Sequence, residues 1–240
     1  MRQGPVMQGT VIFDLDGTLA DTSGDLLAAA NGCFRDLGLG DLLGPGDAGV
    51  ALRGGRAMLT LGFSRVGGAP EGEVDRQYPR LLRRYEEAIC DLTVMYPGAV
   101  EAVAQLRALG HRTGICTNKP ERLAEILLGK LGVRGLFDSL VGADTLPVRK
   151  PDPLPFVRAV EWAGGEVGRS CLVGDSDTDR TTARAAGVPS ILVTFGPSGE
   201  DMAALGPDVL LGSFAELPGV VAGLWATGRR AGLEKVLAGI

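Results

Sequence analysis

Six short segments of this chain are built mostly of apolar residues and do not alternate with polar ones. They are Thr10–Asp16, Arg112–Asn118, Ser139–Asp144, Ser170–Asp175, Ser190–Phe195 and Asp208–Leu211, each bounded by polar or glycine residues. A strand with one wet face alternates, whereas a strand covered on both faces is apolar throughout, as in a parallel sheet with helices on either side. Helical spacing lies between the runs. Gly98–Leu109 carries Val100, Val103, Leu106 and Leu109 at helical intervals, and Gly110 follows as a stop. Pro120–Leu131 repeats the pattern with Leu123, Ile126, Leu127 and Leu131, with Pro120 in the first turn and Gly132 after the last. Asp179–Ala186, closed by Gly187, reads as a third helix. Strand and helix in alternation predict a doubly wound α/β fold with a parallel sheet.

One stretch breaks this rhythm. From Thr22 to Asp91 no run has the character of a buried strand. Ser23–Leu37 reads as a helix capped by Thr22 or Ser23. Glu71–Ile89 is a second, with Val74, Tyr78, Leu81, Leu82 and Tyr85 along one face. Glycines and prolines between Gly38 and Gly49 mark a turn-rich link. The expected organisation is a helical domain, residues 22–91, inserted into an α/β core made of residues 1–21 and 92–240.

Composition narrows the function classes. With 24 basic against 29 acidic residues the net charge is -5, which provides no basic footprint for nucleic acid or anionic lipid. The cysteines, Cys33, Cys90, Cys116 and Cys171, are dispersed, with no CxxC pair or Cys/His cluster to hold zinc. They read as free thiols in a reducing compartment. Met1–Thr10 lacks the apolar stretch of a signal peptide, and no run has the length of a membrane span, so the expectation is a cytoplasmic protein. The lone His111, after Gly110, reads as a solvated loop residue.

Four segments at the ends of the apolar runs carry chemistry. The first is Asp14-Leu15-Asp16-Gly17-Thr18, where the acids point the same way if the strand persists, or Asp16 turns its carbonyl inward if it does not. The second is Thr117-Asn118-Lys119, whose first two residues also suit a helix cap. The third is Arg149-Lys150-Pro151-Asp152-Pro153, and the fourth Gly174-Asp175-Ser176-Asp177-Thr178-Asp179. Asp177 is expected to face water, and Asp175 and Asp179 to share a face. In open parallel sheets, ligands bind beyond the carboxyl ends of the strands, where strand order reverses. If the Asp14 and Asp175 strands are neighbours there, several carboxylates converge, and like charges that close raise one another's pKa. A hard divalent cation resolves the repulsion, and Mg²⁺ suits a site of one or two carboxylates and a phosphate. Thr117 and Lys150 add a hydroxyl donor and a positive charge for a phosphoryl group.

These segments resemble the haloacid dehalogenase superfamily, whose DxDGT signature is Asp14 to Thr18 here, with Thr117, Lys150 and Gly174-Asp175 following in order. The helical insert resembles that family's first cap subclass. Tyr96-Pro97-Gly98-Ala99-Val100, Thr117-Asn118-Lys119-Pro120 and Leu146 to Pro153 resemble its phosphoglycolate phosphatases. The resemblance implies a metal-dependent phosphatase acting on a small phosphorylated substrate. Asp14 would be the nucleophile and Asp16 the acid and base. Thr117, with the amide of Asn118, would hold a phosphoryl oxygen, and Lys150 would neutralise charge. Mg²⁺ would sit on the Asp14 side chain, the Asp16 carbonyl and Asp175, with Asp179 binding directly or through water. The insert would close over the site, and Arg56 is the candidate reader of a substrate carboxylate. A phosphonate hydrolase needs a cap lysine, and residues 22–91 contain none. A haloacid dehalogenase lacks an acid at position 16. A phosphatase for a sugar phosphate, nucleotide or pyrophosphate, a sugar-phosphate mutase, and from another class a phospho-aspartate receiver, are the alternatives. A dinucleotide module is disfavoured, because Gly38-Leu39-Gly40 follows no strand and lacks a third glycine.

Overall fold

The computed structural model describes residues 8–197 and 199–226, without the side chains of 199–201; residues 1–7 of the amino-terminal segment discussed above lie outside it, as do residues 227–240. The chain forms two compact units, one containing the chain up to Leu19 and again from Met95, the other Ala20–Val94.

The first unit is built on a parallel sheet. Its strands are β1 (Thr10–Phe13), β4 (Arg112–Cys116), β5 (Ser139–Val141), β6 (Ser170–Gly174), β7 (Ser190–Val193) and β8 (Val209–Leu211), in the order β5-β4-β1-β6-β7-β8. Two further short strands, β2 (Ala20–Asp21) and β3 (Val94–Met95), pair with each other where the chain passes between units. All six predicted runs contain strands, and β1, β4 and β6 end before the polar residues that close their runs. β1 is central: Phe13 lies in register with Ile115 on one side and Val173 on the other. The chain builds the sheet outward through β4 and β5, then returns to the other flank of β1 with β6. The reversal therefore falls between β1 and β6, where a ligand crevice is expected.

Helices α5 (Ala99–Ala108), α6 (Glu121–Lys130), α7 (Leu154–Trp162), α8 (Asp177–Ala186) and α9 (Leu217–Ala226) belong to this unit. Ile12, Cys116, Val141 and Leu172 of the sheet form one core with Phe156, Ala159 and Val160 of α7 and Ala183 of α8. Uniformly apolar strands are what such two-sided covering requires. α7 has no counterpart among the predicted helices. Pro153 and Pro155 read as loop residues, but a proline in the first helical turn loses no hydrogen bond. Pro120 sits one residue outside the first turn of α6, at its N-cap.

The Ala20–Val94 unit is helical: α1 (Ser23–Asp36), α2 (Ala48–Ala51), α3 (Gly55–Ser64) and α4 (Glu73–Glu87). α1 packs on α3 and α4, and the Phe34 and Phe63 rings meet edge to face at 5.2 Å. A Cβ on Gly62 would lie 2.1 Å from the Phe34 ring, so the close approach of α1 and α3 requires glycine there. The cap of α1 differs from expectation. Thr22 occupies the N-cap position but makes no side-chain capping bond; Asp21 Oδ1 instead accepts from the Ser23 amide at 3.0 Å. Buried Asp25 accepts from the amides of Leu92 and Thr93, tying the start of α1 to the end of the unit.

Among the described residues no helix is long and apolar enough to cross a membrane. Cys33, Cys116 and Cys171 are buried and Cys90 half-buried, all as free thiols. Burial pushes the Cys116 and Cys171 thiols up to about 12, leaving them protonated and unreactive.

His111 corrects the sequence reading. It is 3% exposed, and its Nδ1 accepts the Gly9 amide at 3.0 Å, which requires a neutral ring. Burial lowers its pKa below the ordinary histidine value of 6.5. The unfolded chain therefore binds the proton more readily. The stability contributed by neutral His111 is complete above about pH 6.5 and is lost as pH falls toward the depressed folded value. His111→Asn is expected to flatten the decline of melting temperature between pH 7 and pH 5, read by scanning calorimetry.

Candidate active site

Past Phe13 the chain leaves the sheet. Asp14 still donates its amide to Val173 O at 2.9 Å, which places it against the end of β6. Gly17 then turns the chain with φ 82°, in the left-handed region that favours glycine. The turn buries Thr18, whose Oγ1 donates to Asp175 Oδ1 at 2.7 Å. The ends of β1 and β6 are thus joined by a side chain as well as by the ladder.

At the end of β6, Gly174 allows a close approach. A Cβ there would lie 2.4 Å from Cβ of Asp179. Ser176 caps α8, and the Asp179 amide faces its Oγ at 3.3 Å. Ser176 Oγ in turn donates to Asp179 Oδ2 at 2.5 Å, and the Asp175 amide lies 3.3 Å from the same oxygen. Asp179 is 1% exposed, and its Oδ1 receives Lys150 Nζ at 2.6 Å. Both of its oxygens are therefore engaged within the protein. Gly174→Ala is expected to displace Asp179 and cost about 1–3 kcal/mol, as overpacking does, with a fall in turnover larger than the stability loss explains; urea melts and kcat on the same preparation check this.

Lys150 is not the solvated loop lysine its proline-rich surroundings suggest. It is 3% exposed, and its Nζ lies 2.6 Å from Asp179 and 3.1 Å from Asp14 Oδ1. The Asp14 contact is an ion pair without hydrogen-bond alignment, so that buried oxygen accepts no hydrogen bond. Burial opposes the Lys150 charge, but Asp14 and Asp179 outweigh it and hold the ammonium well above the usual lysine range. Asn118 Nδ2 donates to the Lys150 carbonyl at 3.0 Å, which fixes the loop that presents the lysine.

On the other side of β1, the end of β4 contributes Thr117 and Lys119. Neither Thr117 nor Asn118 caps α6, whose N-cap is Pro120. Buried Thr117 Oγ1 accepts the Lys119 amide at 3.2 Å, and its own hydrogen remains to donate. Lys119 Nζ lies 2.7 Å from Asp16 Oδ1, its side chain 3% exposed.

The electrostatics divide these acids. Asp16 is paired with Lys119 and Asp179 with Lys150. Asp14 and Asp175 remain undercompensated. Burial pushes the Asp14 carboxyl up to about 6; Lys150 pulls it down, and Asp179 and Asp16 push it further up. Asp175 stands well above the usual carboxylate range, through burial first and then Asp14 and Asp179, with Thr18 and Lys150 opposing. Ligand oxygens of Asp14, Asp175 and Asp179 lie within 4.8 Å of one another. With both Asp179 oxygens engaged, a divalent cation with oxygen ligands fits against Asp14 and Asp175. It would neutralise the two charges that Lys119 and Lys150 leave over and would meet the bare Asp14 oxygen.

The structure brings Asp14, Asp16, Thr117, Lys150, Asp175 and Asp179 to one end of one sheet, and Asp177 faces solvent as expected. Arg56 belongs to the helical unit, where it pairs with Asp75 and stacks over Tyr78 with 4.5 Å from guanidinium carbon to ring centre. Sequence reasoning assigned no role to Lys119, Thr18 or Ser176. The T in DxDGT was the available signal for Thr18.

An acid cluster at the reversal of a parallel sheet, with a buried lysine against its central aspartate, sits on a doubly wound α/β core of Rossmann-like strand order. Residues 11–193 match the family of haloacid dehalogenase-like hydrolases, and the chain belongs to it. It is 40% identical over 207 residues to a phosphoglycolate phosphatase of Agrobacterium fabrum, covering 86% of this chain and 89% of that one. A phosphoglycolate phosphatase of Caulobacter vibrioides is 37% identical over 213 residues, with 87% and 89% covered. Among solved structures, CbbY from Rhodobacter sphaeroides in complex with xylulose-1,5-bisphosphate superposes with a TM-score of 0.72 at 25% identity, covering 88% of this chain and 96% of that one.

Proposed function

We propose that this chain is a phosphatase that hydrolyses 2-phosphoglycolate to glycolate and phosphate through an aspartyl phosphate on Asp14, with Mg²⁺ as cofactor. The observation that carries the chemistry is the buried Asp14 oxygen without a hydrogen-bond donor, set 3.1 Å from Lys150. Its similarity to phosphoglycolate phosphatases over most of its length supports the choice of substrate.

In this reading an Asp14 oxygen attacks phosphorus as the ester oxygen leaves on the opposite side. Asp16 protonates the leaving alkoxide, then takes a proton from the water that attacks the aspartyl phosphate. Thr117 Oγ1 donates to a phosphoryl oxygen. Lys150 opposes the charge of Asp14 and of the phosphoryl group, and Asp179 positions Lys150, which is the role we assign it in place of direct metal binding. Asp14, Asp175 and the Asp16 carbonyl would hold the Mg²⁺, which when bound lowers the repulsion between nucleophile and phosphate. The helical residues 22–91 act as the cap of the family, and the free thiols fit a cytoplasmic enzyme.

The test is phosphate release from 2-phosphoglycolate, sugar phosphates and bisphosphates, nucleotides and pyrophosphate, with Mg²⁺ and with EDTA. The expected result is release abolished by EDTA, with the highest kcat/KM for 2-phosphoglycolate. A higher value for a sugar bisphosphate would keep the mechanism and replace the substrate. Phosphate accepted without catalytic release would point to a receiver, and phosphoryl return to a sugar would point to a mutase.

A further inference from the structure

Lys119 is a second buried ammonium at this crevice, and the mechanism above gives it no task. Its position is held from several directions. The Lys119 amide bonds to Thr117 Oγ1 at 3.2 Å, and its carbonyl accepts from the Ala143 amide at 2.9 Å. Nζ meets Asp16 Oδ1 at 2.7 Å. A lysine that only braced the fold would not need its charge beside the group that handles the leaving-group proton.

Resting on the reading of the substrate given above, we propose that Lys119 is the specificity residue for the leaving group, binding the carboxylate of the departing 2-hydroxy acid. The geometry follows from Asp16. A carboxyl that protonates the ester oxygen lies one hydrogen bond from it, and Lys119 lies one hydrogen bond beyond, so about 5.5 Å separates Nζ from the ester oxygen. In 2-phosphoglycolate a single methylene joins the ester oxygen to the carboxylate. A carboxylate so placed falls between the ester oxygen and Nζ, within reach of a charge-assisted hydrogen bond. An ester with an uncharged group there gives the ammonium no second anion beside Asp16. A site built around a buried polar group discriminates strongly against ligands that do not satisfy it.

The experiment compares kcat/KM for 2-phosphoglycolate and for 2-hydroxyethyl phosphate, the ester without the carboxylate, in the full chain with Mg²⁺. The proteins are wild type, Lys119→Met and Lys119→Arg. The expected wild type prefers 2-phosphoglycolate. The ratio falls about a hundredfold in Lys119→Met and is largely restored in Lys119→Arg, a loss of the order associated with a charged hydrogen bond. A wild type that takes both esters equally sinks the substrate reading and this inference with it. A selective wild type whose ratio survives in Lys119→Met, both esters losing rate alike, sinks the inference alone and leaves Lys119 as a positioning residue for Asp16. Should Lys119→Met fail to fold, the wild type crystallised with 3-phosphonopropionate decides: the ligand carboxylate is expected at Lys119 Nζ, and its placement elsewhere overturns the assignment.

Discussion

Asp14→Asn is expected to lose at least about a thousandfold in kcat, as removal of a covalent nucleophile does, and yet to melt higher than wild type without metal at pH 7.5. The second half follows from burial. The Asp14 carboxyl is held at about 6 in the folded chain against the ordinary aspartate value of 3.8. Between those values the native state binds more protons than the unfolded one, so stability falls as pH rises from about 4 to about 6 and stays lower above it. The shift corresponds to a penalty on the order of 3 kcal/mol. Asparagine carries no such penalty. Scanning fluorimetry at pH 5 and pH 7.5, with and without Mg²⁺, reads the effect: wild type should gain more from Mg²⁺ at the higher pH, and the variant should gain little at either. Residual turnover above a few per cent would remove Asp14 from the nucleophile role.

Lys150→Met should do the opposite to stability. It leaves Asp179, 1% exposed, and Asp14 without the cation between them. Breaking a buried pair by deleting one partner costs about 3–5 kcal/mol, far more than losing a surface contact. The metal-free variant should therefore unfold at markedly lower urea, with part of the loss recovered by Mg²⁺. Turnover should fall about a hundred- to a thousandfold, since the phosphoryl charge loses a preorganised donor. A variant within 1 kcal/mol of wild type would mean that the ammonium is not buried against these acids.

Most of the fold was legible because a two-sided environment leaves a plain mark on sequence. Every uniformly apolar run became a strand, and the acids at the ends of β1 and β6 fell where a reversal in strand order was expected. What was not legible depended on contacts distant in the chain. His111 follows a helix-ending glycine and looks like a loop residue; only the Gly9 amide, 102 residues away, makes it a core residue. Lys119 sits before a proline that starts a helix, a place where lysines usually meet water, and its partner Asp16 lies 103 residues earlier. α3 and α7 were hidden by the glycines and prolines at their starts, which read as loop but serve as helix openings. Arg56, chosen for its charge, pairs with Asp75 inside its own unit, a contact the sequence did not announce.

The central position of β1 has a consequence for how the protein is made. Thr10 pairs with Arg112 and with Ser170, so the strand that leaves the ribosome first waits through most of the chain for its second neighbour. At about 5–20 residues per second, the wait from β1 to the end of β6 is roughly ten to thirty seconds. By its later part the helical residues 20–94 are already complete, while the apolar first strand still has one edge open. A nascent chain halted before Ser170 would thus carry a finished helical unit and a sticky, half-built sheet. Its first aspartate would be present long before the groups that make it reactive, so chemistry and correct completion of the chain arrive together.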